Sequence, residues 1–138
     1  MADRFEEIVN KDMKFTVERL KDTDADTAAN YGTFFIADKP YEVMGVQAVW
    51  STASTSGTLQ VERLQGTTAE GTGDSVLTGT IDLNGTADTV VTREKTALQN
   101  RLLVKGDRLA LVDGGTLTNL VNLVVTVTLK PRGKGDYR

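Results

Sequence analysis

From residue 31 to residue 130 the chain is cut into short β-branched and aromatic runs, with turn-forming residues roughly every 8–12 positions. Tyr31 to Ala37 is one run, closed by the turn Asp38-Lys39-Pro40. Tyr41 to Trp50 is nearly continuously apolar, which suits a strand covered on both faces or one bulged at Gly45. Small residues at 51–57 read as a hairpin loop. Thr58 to Leu64 then alternates, with Leu59 and Val61 expected inward and Gln60 and Glu62 outward. After a Gly/Thr loop at 65–74 come the short apolar pieces Val76-Leu77 and Ile81 to Leu83, the tight-turn pair Asn84-Gly85, and a short run at 89–92. A turn at Lys105-Gly106-Asp107 precedes Arg108 to Asp113, which Gly114-Gly115 closes. The run from Leu120 to Lys130 ends in clean alternation, Val125, Val127 and Leu129 one way and Thr126, Thr128 and Lys130 the other. About seven or eight such runs predict an all-β fold, a jelly-roll-like two-sheet β-sandwich. Only residues 93–103 depart from the pattern, and 96–102 read there as a short helical turn.

The two ends differ from this middle. Residues 1–30 are charged and net acidic, and residues 131–138 form a basic tail. The expected division is therefore an N-terminal arm at 1–30, a sandwich at 31–130 and an extended C-terminal tail at 131–138. Phe5, Ile8, Val9 and Met13 lie on one helical stripe, too short to stand alone in water, so it must dock on something. Residues 14–20 alternate briefly like a strand, and the polar stretch 21–27 reads as a linker or surface arm. The tail residues Arg132, Lys134, Tyr137 and Arg138 suit an acidic surface. Both ends together are the expected partner-binding elements, and the basic tail of one copy could meet the acidic arm of the next.

Composition narrows the chemistry. The chain has 138 residues and no Cys or His. Disulfides, thiol nucleophiles and cysteine–zinc sites are excluded, and the commonest general base and metal ligand is missing. No enzyme activity, cofactor or metal is expected. A net charge of −3 argues against nucleic-acid binding, and no segment reads as a membrane span or signal peptide.

The remaining candidate sites have plain alternatives. Gly71-Thr72-Gly73 and Gly114-Gly115 lack the strand before and helix after that a phosphate loop needs, so both read as turns. Asp22, Asp24 and Asp26 alternate like calcium ligands, but Thr27 and Thr33 stand where an EF-hand needs Gly and Glu. Glu18, Glu62, Glu70 and Asp82 offer carboxylates for glycosidase chemistry, with no spacing that selects a pair. Trp50, Tyr31 and Tyr41 could form a sugar-stacking platform, although the place of Trp50 in an apolar run favours the core.

The runs Phe34-Phe35-Ile36-Ala37, Tyr41-Glu42-Val43, Trp50-Ser51-Thr52-Ala53 and Thr58-Leu59-Gln60-Val61-Glu62 carry a resemblance. So do Gly106-Asp107-Arg108-Leu109-Ala110-Leu111, Gly115-Thr116-Leu117-Thr118 and Val124 to Leu129. Together they resemble the capsid decoration, or cement, proteins of tailed bacteriophages, small jelly-roll proteins encoded in the head-gene region. The resemblance spans about residues 31–130 and leaves out the N-terminal arm. It implies a structural virion protein, made in the host cytoplasm and added to the outer capsid surface. There it would bind the major capsid protein as a homo-oligomer, a dimer or trimer on a symmetry axis, and stabilise contacts between capsomers. It carries over no catalytic residues. The alternative is a carbohydrate- or receptor-binding sandwich module of a virion or secreted protein.

Overall fold

The alternation near the end of the chain sets one sheet. In strand β10 (Leu123–Pro131), Leu123, Val125, Val127 and Leu129 are buried while the residues between them are half-buried. A strand with one fully apolar face must bury it against a second layer. The computed structural model, which describes residues 13–132, supplies that layer. The other strands are β1 (Met13–Leu20), β2 (Thr33–Ile36), β3 (Tyr41–Val49), β4 (Thr58–Leu64), β5 (Asp74–Ser75), β6 (Ile81–Asp82), β7 (Val91–Arg93), β8 (Leu102–Leu103) and β9 (Arg108–Gly114). A single turn of α-helix, α1 (Leu98–Arg101), lies between β7 and β8.

The strands form two antiparallel sheets. One runs β1-β10-β3-β7, with β8 also on β3; the other runs β2-β9-β4-β5, with β6 also on β4. The pairs nest: β1 with β10, β2 with β9, β3 with β8, β4 with β5. This is one long antiparallel hairpin rolled so that its first four strands alternate between sheets, the jelly-roll arrangement expected from the sequence. The core between the sheets is aliphatic, built on Val43, Val46, Leu59, Val61, Leu109, Leu111, Val125, Val127 and Leu129. Trp50 closes it from one end, only 1% exposed, its indole N–H donating to the Gly85 carbonyl at 3.2 Å.

Several local expectations hold. Between β10 and β3 the register slips at Thr128/Leu129, leaving Met44 unpaired beside Gly45, so the bulge lies where Gly45 placed it. Helix α1 falls inside 96–102, which read as a short helical turn. Its last carbonyls have no intrahelical partner; the Arg63 guanidinium caps them, donating to Gln99 O at 2.7 Å and Leu102 O at 2.9 Å.

Others are corrected. The sandwich does not begin at residue 31, because Met13–Leu20 from the expected arm pairs along β10 as an edge strand. Met13, the last residue of the expected helical stripe, opens that strand; Phe5, Ile8 and Val9 lie outside the described residues. The polar stretch after it is not a free linker. Asp22–Asp26 is a 3₁₀ turn that buries Ala25 completely, and the Tyr31 hydroxyl locks it by donating to Ala25 O at 2.8 Å. Across the same end, the Asp22 N–H donates to Asn122 Oδ1 at 2.8 Å and closes the β1–β10 ladder. Residues 51–57 are no hairpin loop, since β3 and β4 belong to different sheets. Each of those strands has an inward apolar face, and placing them in opposite layers buries both. Glu62, expected outward, is buried for a reason given below.

Backbone geometry yields a paired test. Gly115 has φ +66°, and a Cβ there would sit 2.3 Å from the Ser56 carbonyl oxygen. Gly45 has nothing within 4 Å of its Cβ position. Gly115→Ala is expected to cost about 1–3 kcal/mol or more, and Gly45→Ala to stay within about 0.5 kcal/mol. Urea titration followed by Trp50 fluorescence reads both.

Candidate partner-binding site

The rolled hairpin brings the start and finish of the described chain together. Met13 lies opposite Leu129, and Pro131 lies opposite Tyr41. The same end of the sandwich carries the β2–β3 connection at 37–40, the β8–β9 turn at 104–107 and the β4–β5 loop at 65–73. Two backbone bonds stitch connection to turn: Ala37 N–H to Asp107 O and Gly106 N–H to Ala37 O, each 2.8 Å. Asp107 is buried and steadies the turn by accepting from the Val104 N–H at 2.9 Å.

Glu42 is the anchor of this end. It stands in the nearly apolar β3, and its side chain is only 10% exposed. One carboxylate oxygen accepts from Arg101 at 2.9 Å and the other from Arg132 at 2.7 Å. Arg101 also donates to Val43 O and Thr96 O, fixing α1 against β3. The Arg132 N–H donates to Pro40 O at 3.0 Å. Of the residues expected to bind a partner, Arg132 is therefore held by its own chain, and Met13 opens β1, the strand next to the β10 that Arg132 follows. Phe5, Ile8, Val9, Lys134, Tyr137 and Arg138 lie outside the described residues. The Glu42 cluster escaped sequence reading. Its signal was a lone acid between Tyr41 and Val43, where a buried carboxylate demands cationic partners.

The surface around the anchor is mixed. Ile36, at the end of β2, is 67% exposed, and Val104, the first residue of the 104–107 turn, is 47% exposed. Asp38 accepts from the Tyr41 hydroxyl at 2.7 Å. That hydrogen bond, with Lys39 and Lys105 nearby, holds the Asp38 carboxyl below its usual range. Burial, reinforced by Asp38, pushes the Tyr41 hydroxyl up to about 12. Lys39 sits 5.8 Å over the Tyr41 ring.

The Gly-rich loop at 71–73 does cradle an anion, and the anion is internal. The N–H groups of Gly71 and Gly73 both donate to Glu62 Oε1, at 2.9 and 3.2 Å. This is why Glu62 is 4% exposed on a face expected to be open. Arg108 grips the loop from the other side through Gly66 O and Thr68 O. Glu70 ties it to β2, accepting from both the N–H and the hydroxyl of Thr33 at 2.9 Å. Glu62 and Glu70 thus serve as fasteners for a loop lying over the second sheet. Asp22, Asp24 and Asp26 share the 3₁₀ turn, and among the described residues no group of three or more acids is placed to hold a metal ion. The three candidate aromatics make no exposed platform: Trp50 and Tyr41 are buried, and Tyr31 is half-buried, its hydroxyl engaged. Burial, with Asp113 and Asp26 beside it, raises the Tyr31 hydroxyl well above its ordinary value. Compared with known proteins, the chain matches no family, and no curated protein matches it.

Two tests follow from the anchor and its neighbour. Glu42→Ala leaves two guanidinium groups facing a vacated buried position and is expected to cost about 3–5 kcal/mol. Arg132→Ala keeps the Arg101 pair and is expected to cost about 1.5 kcal/mol. Denaturant midpoints rank the two, and equal costs would contradict the assignment of Glu42 as the hub. The second test is alkaline. The Tyr41 hydroxyl has a folded value above its unfolded 10, so its contribution is full below pH 10 and fades as pH rises through about 12. The urea midpoint is expected to fall across that window, and to fall less in Tyr41→Phe.

Proposed function

We propose that this chain is a structural, protein-binding component of a virion, a cement or decoration protein. In this reading it attaches to the outside of an assembled phage capsid and ties neighbouring capsomers together, with the major capsid protein as its partner. It works by binding and carries out no catalysis.

The observation that supports this reading best is the common exit. The acidic segment before Met13 and the basic segment after Arg132 leave from neighbouring positions at one end of a closed sandwich. A rigid body with both extensions at one end can set its body on a surface and reach sideways to two subunits. Contacts of this kind are individually weak and gain strength by repetition around a symmetry axis. Fixing the bases of both extensions lowers the ordering cost of each contact. The resemblance to decoration proteins points the same way. The sugar-platform alternative has less support, because Trp50 and Tyr41 are spent in the core. As a homo-oligomer on a symmetry axis, the protein would present several such ends together on the outer capsid surface.

Co-sedimentation with undecorated shells from the same source tests the reading. Saturable pelleting at a fixed ratio to the capsid subunit is expected, and a chain lacking residues 1–12 is expected to keep its Trp50 emission and bind at least about tenfold more weakly. A folded protein that stays in the supernatant with intact shells would overturn it.

A further inference from the structure

The connection after β6 is pinned on both sides and open in the middle. Leu83 is fully buried; its N–H donates to Gly57 O at 2.8 Å, and its carbonyl accepts from the Ser54 N–H at 2.9 Å. Gly85 O accepts the Trp50 indole N–H at 3.2 Å, and the Asp88 N–H donates to Trp50 O at 2.8 Å. Between these clamps stands Asn84, exposed, in the tight-turn pair Asn84-Gly85. Neither its side-chain amide nor the Gly85 N–H makes a hydrogen bond to any described residue.

We propose that Asn84 is a site of spontaneous covalent self-modification, deamidating through a succinimide, and that its isoaspartyl product unfastens Trp50. The Gly85 nitrogen attacks Asn84 Cγ. A C–N bond forms, the Cγ–Nδ2 bond breaks, and Nδ2 leaves as ammonia with the proton that Gly85 N gives up. Water then opens the ring. Hydrolysis at Cγ leaves aspartate at position 84; hydrolysis at the original main-chain carbonyl leaves isoaspartate, whose backbone runs through Cβ and Cγ. Nucleophile and electrophile are neighbours in one chain, so no partner has to be recruited. Asn84 is the one asparagine followed by glycine, whose missing side chain leaves the nitrogen open to attack. The other described asparagines precede the bulkier Tyr31, Arg101, Leu120 and Leu123. The N–H groups of Tyr31 and Leu120 are spent on Ala28 O and Leu117 O, and the side chains of Asn30 and Asn122 are engaged. Isoaspartate lengthens the main chain between the clamps at Leu83 and Gly85. Gly85 O then shifts off the indole N–H, and because Trp50 is only 1% exposed that donor is left buried without its acceptor. This chemistry is independent of the capsid reading.

Full-length protein incubated at neutral pH, folded and in urea, tests this, with peptide mapping by mass spectrometry following each asparagine. A protease that cuts before aspartate but not before isoaspartate separates the two products. Position 84 is expected to convert first among the described asparagines, and in the folded protein at a rate within about tenfold of that in urea. Gly85→Ala is expected to slow it at least about tenfold. That variant stays folded, since its Cβ would meet Trp50 Cζ2 at 3.5 Å and Asp82 O at 3.7 Å, ordinary contact distances. The isoaspartyl form, isolated by chromatography, is expected to show red-shifted Trp50 emission. Asn84→Asp, with the same added charge on an unaltered backbone, is expected to keep the wild-type maximum. Conversion confined to urea, or led by another described asparagine, or undiminished in Gly85→Ala, would overturn the site. An isoaspartyl form with wild-type emission would overturn the link to Trp50.

Discussion

The pairing of β10 with β1 on one side and β3 on the other carries the first sheet. Its inward residues, Val125, Val127 and Leu129, are fully buried, so a one-residue slip would turn three core side chains out to solvent. That cost fixes the register of β1 and β3 together. The register in turn sets Met13 opposite Leu129 and Pro131 opposite Tyr41, which is why both ends of the chain meet at one end of the sandwich. The single bulge at Met44/Gly45 shifts the phase of β3 by one residue and lets Val43 and Val46 both point inward.

Onto this apolar frame the chain adds two buried carboxylates with distinct tasks. Glu42 gathers two arginines from distant points, one from α1 and one from the end of β10. Glu62 gathers two backbone N–H groups from a loop. In both cases burial would be costly for a lone charge and becomes tolerable because each acid has several donors. Such arrangements add little net stability over apolar packing, but they are directional. They fix where α1, the 65–73 loop and the last described residue sit, which aliphatic contact alone would leave loose.

The sequence made the architecture legible because its strands follow simple rules. Alternation at 124–130, the glycine in β3 and the turn residues at 105–107 each point to one local answer, and the structure gives it. The misreadings came from side chains whose partners are remote in sequence. Glu62 alternates as an outward residue, and only the loop folded over it from nine residues away makes it a buried one. Ala25 is one small apolar residue among aspartates, too faint a signal for a turn that docks on the core. Residues 51–57 have hairpin composition, but which sheet a strand joins is decided by the whole roll. The Glu42 hub joins positions 42, 101 and 132, and no local pattern links them.

These two layers of design bear on how a small sandwich can serve as a connector. A jelly roll leaves few long open edges, and one of them here, β1, is bulged at Val17, where the register shifts between Thr16 and Glu18. Uncontrolled edge pairing is thereby discouraged, and specific contact is left to surfaces that the fold positions deliberately. The end bearing Glu42 is such a surface. Its backbone is stitched by hydrogen bonds and its ion cluster is inward, while Ile36, Val104, Lys39 and Lys105 face out. Met13 and Arg132 both lie there, so two oppositely charged extensions start from one rigid platform. The separation of their starting points is set by strand spacing. For a protein proposed to bridge neighbouring subunits, that fixed separation of starting points is what makes the two extensions a gauge of distance on the partner's surface.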